Sequence, residues 1–89
     1  MMELPVASRT CRDQEGKPRI FHYALMVDQI ELDSFCCENY GVHIWEEDGD
    51  SARIPGITTS AMRIDELMTL LVDNRVGPAG LPDVVADFL

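Results

Sequence analysis

Side chains able to bind a metal or to act as nucleophiles are few in this chain of 89 residues. Cys36 and Cys37 are adjacent, and Cys11, His22 and His43 supply the remaining thiol and imidazole groups. Thiolates and imidazoles bind zinc, and a thiolate beside an imidazole forms a nucleophile with its base. Adjacent cysteines point apart in most backbone conformations, whereas zinc sites separate paired ligands by about two to four residues. We therefore expect no metal site, and we keep a small-ligand, metal or redox-responsive domain using Cys36, Cys37 and His43 as the alternative.

Two further stretches could bind ions. Glu46 to Asp50 is acidic, but it lacks the spaced ligands and the later bidentate Glu of a calcium loop, so we expect a solvated turn. Thr58-Thr59-Ser60 could hold an anion at a helix N-terminus, and hydroxyl capping of that helix explains the same residues. No Gly-x-Ser-x-Gly, His-Glu-x-x-His or Cys-x-x-Cys motif occurs. We expect no enzymatic activity and no cofactor.

Three stretches alternate in the manner of half-buried strands. They are Arg19 to Ile30, Val42 to Glu47 and Ser51 to Ile54. Asp48-Gly49 between the second and third stretches predicts a hairpin turn in which both residues take positive φ. The residues from Glu31 to Asn39 are too few for a parallel crossover, so we expect every strand connection to be antiparallel.

Strand register follows from which faces share a core. If Val42 and Ile44 share a core with Leu25 and Val27, the numbers of paired residues sum to an odd value, and the centre of the loop places that sum near 71. Ile44 would then lie opposite Val27, Trp45 opposite Met26, and His43 opposite Asp28.

Two helical patterns complete the chain. The first runs from about Ser60 to Val76, and the second begins near Leu81 with apolar residues at helical spacing. The predicted fold is α+β, with a three-stranded antiparallel β-meander followed by two C-terminal helices packed on one face. Residues 1–18 show no sustained period and contain two prolines and a glycine, so we expect a flexible or loosely attached tail ahead of a single domain at 19–89.

Charge limits the classes of partner. The formal net charge is −9, and four of the seven basic side chains lie within residues 1–19, so the rest of the chain is strongly acidic. Such a surface repels phosphate backbones and anionic membranes. The sequence shows no signal peptide and no apolar run long enough to span a bilayer, and its three cysteines form no disulfide framework. We expect a cytoplasmic protein.

Several motifs together resemble a known family. They are Tyr40-Gly41-Val42, the stretch from Ile54 to Ser60, the helix segment from Leu67 to Val72, and the ending from Val84 to Leu89. In combination they resemble a family of small uncharacterised proteins from clostridial bacteria, a domain of unknown function. The resemblance covers about Tyr23 to Leu89. It implies a bacterial, cytoplasmic, single-domain protein and supplies no catalytic residues.

The strand face opposite the core carries the most informative residue. Trp45 alternates away from Val42 and Ile44, which places it with Ala24, Met26 and His43. Tryptophan and methionine are enriched at interfaces, so we interpret these four residues as an interaction surface. Cover by the N-terminal segment is the alternative.

From this surface the sequence predicts a small, non-catalytic interaction or regulatory protein. We expect it to form a homodimer, or to bind another protein, through this face or through the edge of the first strand.

Overall fold

The computed structural model describes residues 1–33 and 35–89. Along the chain, the strands are β1 (Met2–Arg12), β2 (Pro18–Leu32), β3 (Phe35–Glu46) and β4 (Ser51–Thr58). The helices are α1 (Ala61–Asp73) and α2 (Leu81–Phe88), with a 3-10 turn at Pro78–Gly80 before α2. The α+β class, the antiparallel sheet and the pair of C-terminal helices are as predicted. Neither helix in the described residues is both long enough and apolar enough to cross a membrane.

The strand count differs from the prediction. Within the described residues the sheet has four strands in the order β1-β2-β3-β4, so the prediction of a three-stranded meander is wrong. The additional strand, β1, lies in the segment 1–18 for which we expected a tail. It pairs with β2 from Met2 opposite Val27 to Arg12 opposite Pro18. Strand β2 is therefore an inner strand along this stretch, and its edge is closed to a second copy there.

Strand β1 was hidden in the sequence by a bulge. The β1–β2 register shifts between Pro5 and Ala7, so the alternation of apolar and polar residues changes phase at Val6. The turn that follows is organised by one carboxylate: Asp13 Oδ1 accepts hydrogen bonds from the main-chain N–H groups of Glu15 and Lys17, both at 2.9 Å. A side chain that binds nearby N–H groups in this way builds a compact turn, whereas the prolines and the glycine of this segment had indicated disorder.

The β2–β3 register has the predicted parity but is displaced by four residues. Ile44 lies opposite Tyr23 rather than Val27. The reason is that the strands continue to Leu32 and Phe35, so the chain reverses between these residues instead of over the nine-residue loop we expected. Asp33 has a φ of 55°, a left-handed conformation that aspartate tolerates better than most residues and that permits a tight reversal. In the β3–β4 turn the predicted hairpin forms with positive φ at Asp48, but Gly49 does not take the positive φ that was predicted for it.

Helix α1 begins and ends with specific caps. Ser60 Oγ accepts a hydrogen bond from the Arg63 N–H at 3.2 Å, which confirms the predicted hydroxyl cap. The helix stops at Asp73, earlier than the predicted Val76, because Arg75 takes a φ of 51°. The N–H groups of Arg75 and Val76 then donate to carbonyls of the last helical turn, in a Schellman arrangement.

The helices and the sheet enclose one core. Its buried residues on the sheet are Phe21, Tyr23, Val42 and Ile44. Those on the helices are Ile64, Leu67, Met68, Leu71, Val72, Leu81 and Val85. The opposite side of the sheet carries Ala24, Met26, His43 and Trp45, and we call it the open face.

Both outer edges of the sheet carry a proline and an irregularity. On β1, Pro5 lies next to the register shift between Pro5 and Ala7. On β4, Pro55 lies within the strand, and the β3–β4 register shifts between Tyr40 and Val42. Proline has no N–H to donate, so each edge offers an interrupted row of hydrogen-bonding groups.

The central hairpin extends beyond its neighbours. Pairing of β1 with β2 stops at Val27, and pairing of β4 with β3 stops at Tyr40. The remaining five residue pairs, from Asp28 opposite Asn39 to Leu32 opposite Phe35, form a two-stranded ribbon. At roughly 3.4 Å per residue it projects about 17 Å from the sheet. We call residues 28–33 and 35–39 the arm.

Tyr23 joins the sheet to the end of α1, which yields a stability prediction. Its hydroxyl donates a hydrogen bond to the Val76 carbonyl at 2.9 Å, and its side chain is fully buried. The pKa of the Tyr23 phenol is raised above its ordinary value, and burial is the largest cause of this shift. We expect Tyr23→Phe to lower the free energy of unfolding by about 1 kcal/mol in urea denaturation, because one buried hydrogen bond is lost. Tyr40→Phe is the control, and an equal loss in both variants would contradict the assignment.

Gly41 on β3 leaves no room for a side chain against β4. A Cβ atom on Gly41 would lie 2.6 Å from the Pro55 Cα and would also collide with the Ile54 carbonyl oxygen. Since both obstacles are main-chain atoms, we expect Gly41→Ala to cost about 1–3 kcal/mol of unfolding free energy. In Gly80→Ala the new Cβ meets only the side-chain Cγ1 of Val76, at 3.3 Å, so that variant should lose much less. Thermal unfolding of the two proteins side by side checks the difference.

Candidate functional site

The centre of the open face is a cluster of aromatic rings. Trp45 is directly opposite His22 on β2, and the centroids of these rings are 5.2 Å apart. The ring of His43, two residues before Trp45 on the same strand, lies 4.5 Å from the Trp45 ring. The predicted register had separated the two histidines and had placed Met26 opposite Trp45. The four-residue displacement instead brings both imidazoles against the same indole.

His43 is held by groups from both outer strands. Its Nδ1 lies 2.6 Å from Glu3 Oε1 of β1, and its Nε2 lies 3.0 Å from Ser51 Oγ of β4. The other oxygen of the Glu3 carboxylate, Oε2, forms a salt bridge with the Arg53 guanidinium at 3.2 Å. His43 lies opposite Ala24, not opposite Asp28 as predicted, so its carboxylate partner comes from β1.

His22 is held in a similar way at the other side of Trp45. Its Nδ1 forms a hydrogen bond with Ser8 Oγ of β1 at 2.7 Å, and its Nε2 lies 3.1 Å from Glu47 Oε2. Each imidazole therefore uses both ring nitrogens, and each is connected to β1. Trp45 therefore contacts two imidazole rings, and hydrogen bonds from neighbouring side chains fix the orientation of each ring.

The four residues predicted as an interaction surface differ in exposure. Ala24, Met26 and His43 are buried, with 2%, 4% and 8% of their surfaces exposed, whereas Trp45 is half-buried. Cover comes from the N-terminal segment: Glu3 lies opposite Met26, and its carboxylate reaches across to His43. The structure thus brings the four residues together on one face, and β1 supplies cover that the sequence had left open between a partner and a tail.

The residues of the alternative site are not brought together. Cys36 and Cys37 lie in the arm on opposite sides of β3, because neighbouring residues of a strand alternate. Cys37 and His43 are six residues apart along β3, a distance of about 20 Å at the usual rise of a strand. Among residues 1–33 and 35–89, no group of three His, Cys, Asp or Glu side chains is placed to hold a metal ion.

One polar connection has the order of a hydrolase triad. Ser51, His43 and Glu3 are linked as hydroxyl, imidazole and carboxylate, which is the order of nucleophile, base and orienting acid. Sequence reasoning missed it because Glu3 lies in the segment read as a tail. Acyl transfer also requires hydrogen-bond donors aimed at a developing oxyanion. The shallow depression beside Ser51 is lined by Asp48, whose carboxylate opposes such a charge, and by Arg53, whose guanidinium is already paired with Glu3 at 3.2 Å.

An ion pair fixes the hairpin end of the sheet on the side that faces the helices, because Arg19 and Glu46 alternate with the open-face residues His22 and Trp45. Arg19 donates two hydrogen bonds to the Glu46 carboxylate, at 2.7 and 2.9 Å. The hydrogen bonds from Arg19 hold the pKa of Glu46 below its ordinary value, and burial opposes this shift. Glu46 is therefore ionised at neutral pH. It ends β3 instead of belonging to the predicted solvated turn, and its charge is paired with Arg19 on the side of the sheet away from Trp45.

An antiparallel sheet with two helices on one side and a histidine–carboxylate network on the other defines a small α+β domain in which neither of the described helices packs on the open face. The chain belongs to a family of unknown function, DUF6514, whose model matches residues 2–89. This match confirms the resemblance to a domain of unknown function. It also includes β1, which precedes the span from Tyr23 on which that resemblance was based. No curated protein and no solved structure matches the chain.

The carboxylate of Glu3 yields a prediction about β1. Because Glu3→Gln weakens the contacts to His43 and Arg53, we expect main-chain amides of β1 to exchange hydrogen up to about fivefold faster, equivalent to up to about 1 kcal/mol after solvent screening. Hydrogen exchange followed by NMR or mass spectrometry measures this. Glu15→Gln removes the same charge from the β1–β2 turn and serves as the control. Identical exchange in the two variants would show that the Glu3 contacts do not hold the strand.

Proposed function

We propose that this chain is a small, non-catalytic protein-binding domain whose docking surface is the open face of the sheet. The observation that carries the proposal is the placement of Trp45, the sole tryptophan, half-buried on the sheet face opposite the helices. Buried anchors of binding interfaces are enriched in tryptophan. The imidazoles of His22 and His43 fix the indole in advance, which lowers the entropy lost when a partner binds.

Charge and shape favour a protein over other ligands. The net charge of −9 repels nucleic acids and anionic lipids. Small-molecule sites are enclosed clefts, whereas the depression beside Trp45 is shallow and open to solvent. Three cysteine thiols, none joined in a disulfide in the described residues, suit a reducing compartment, and we place the protein in the cytoplasm on that ground.

Self-association is the second way to occupy the open face. The edge of the predicted first strand, which is β2 in the structure, is not available for self-association between Pro18 and Val27, because β1 pairs there. Light scattering after size exclusion, in reducing buffer and over a range of concentrations, determines whether the 10.0 kDa chain is a monomer or a dimer. A dimer that Trp45→Ala dissociates would identify the second copy as the occupant of this face.

We predict that Trp45→Ala abolishes partner binding while the fold survives. Tagged protein is used to capture partners from an extract of a bacterium that encodes it, and retained proteins are quantified by mass spectrometry. A specific partner should be retained by the unmodified chain. The retained amount should be at least about tenfold lower with Trp45→Ala, as expected for loss of an interface anchor.

Met62→Ala is the matched control, since Met62 is an exposed apolar residue on α1, away from the open face. Circular dichroism establishes that both variants remain folded. If every protein retained by the unmodified chain were also retained by Trp45→Ala, and the solution mass were unchanged, the open face would not be the docking surface.

A further inference from the structure

The arm carries apolar side chains that the described chain leaves exposed or covers only in part. Phe35 is 62% exposed, and Ile30 and Cys37, which lie directly opposite each other, are half-buried. Alternation along β2 places Ile30 on the same side as Met26, so this apolar strip continues the open face. Gln29, Glu31, Cys36 and Glu38 point to the other side. The arm is therefore an amphipathic ribbon.

The arm also lacks structural support of its own. Neither β1 nor β4 pairs with it, so its two strands hold only each other. A two-stranded ribbon is marginally stable in water unless a further strand or a packed surface supports it. A partner that covers the apolar strip would supply that support.

The charges around the strip all have one sign. The arm carries Asp28, Glu31, Asp33 and Glu38, and there is no lysine or arginine anywhere in residues 20–52. Asp28 lies on the side of the strip, whereas Glu31 and Glu38 point to the other side. Two arms packed through their strips would bring the two Asp28 carboxylates together and would join two uniformly acidic ribbons, which disfavours a second copy as the occupant. A complementary surface has apolar side chains flanked by lysine or arginine.

We infer that the arm selects the partner: it binds a basic protein segment in which apolar residues, flanked by Lys or Arg, cover Ile30, Phe35 and Cys37. This inference rests on the proposed function and adds the chemistry of the partner. Trp45 and Cys37 are eight residues apart on β3, about 27 Å, so the partner contacts an elongated strip rather than a single spot.

The probe is a synthetic 18-residue amphipathic peptide of leucine and lysine, labelled with a fluorophore and titrated with the full chain by fluorescence anisotropy. The same peptide with glutamate in place of lysine should not bind. We expect Phe35→Ser to weaken binding about tenfold or more without changing the thermal midpoint, because the residue lies outside the core. Binding should also weaken with added salt.

Two variants of equal charge separate a specific contact from general attraction to an acidic protein. Asp28→Asn, Glu31→Gln and Glu38→Gln are combined in one variant, and Asp65→Asn, Asp73→Asn and Asp87→Asn, all on the helices, in the other. Only the first should lose binding. Equal losses in the two variants, no effect of Phe35→Ser, or no binding of the basic peptide by the unmodified chain would each overturn the inference.

Failure of this inference is distinguishable from failure of the proposed function. If a captured partner depends on Trp45 but is retained by Phe35→Ser and by the arm charge variant, the open face remains the docking surface and the arm has no part in selecting the partner. If light scattering shows a dimer that Phe35→Ser dissociates, the occupant is a second copy and the basic-partner inference is wrong.

Discussion

The Glu3 carboxylate connects three strands of the sheet, and the arrangement of the whole open face depends on it. It starts on β1 opposite Met26, passes over β2, and reaches His43 on β3 and Arg53 on β4. A sheet with helices on one side has to shield the other side with its own side chains. Here the shield is polar and hydrogen-bonded, so the face can stay exposed to water without losing its order.

Local patterns were sufficient to predict the helices and the central parts of three of the four strands. The alternation from Phe21 to Val27, the Asp48 hairpin and the Ser60 cap each express a short-range preference that the tertiary structure keeps. Strand β1 and the β2–β3 register were beyond this kind of reasoning. The first is interrupted by a bulge at Val6, and the second depends on a reversal next to Asp33 that replaces a long loop by two longer strands.

The missed strand β1 and the displaced β2–β3 register determine how much of the site could be predicted. Parity alone placed Trp45, His43, Met26 and Ala24 on one face, and parity survives a displacement by four residues. The same displacement changes which side chains are in contact, so the contact of His22 with Trp45 was missed. The partners of both imidazoles were missed as well, because Glu3 and Ser8 belong to the strand that had been read as a tail.

The interrupted edges of the sheet bear on how the protein remains dispersed in a crowded cell. A chain that displays an apolar ribbon risks growing strand by strand into fibrils. On β1 and β4, Pro5 and Pro55 each stop such growth after a few residues, because the next strand would meet a position without a donor. Among the described residues, the unpaired sides of the arm contain no proline, but they are short and negatively charged. The fold can thus expose Phe35 to solvent while offering no long template for polymerisation.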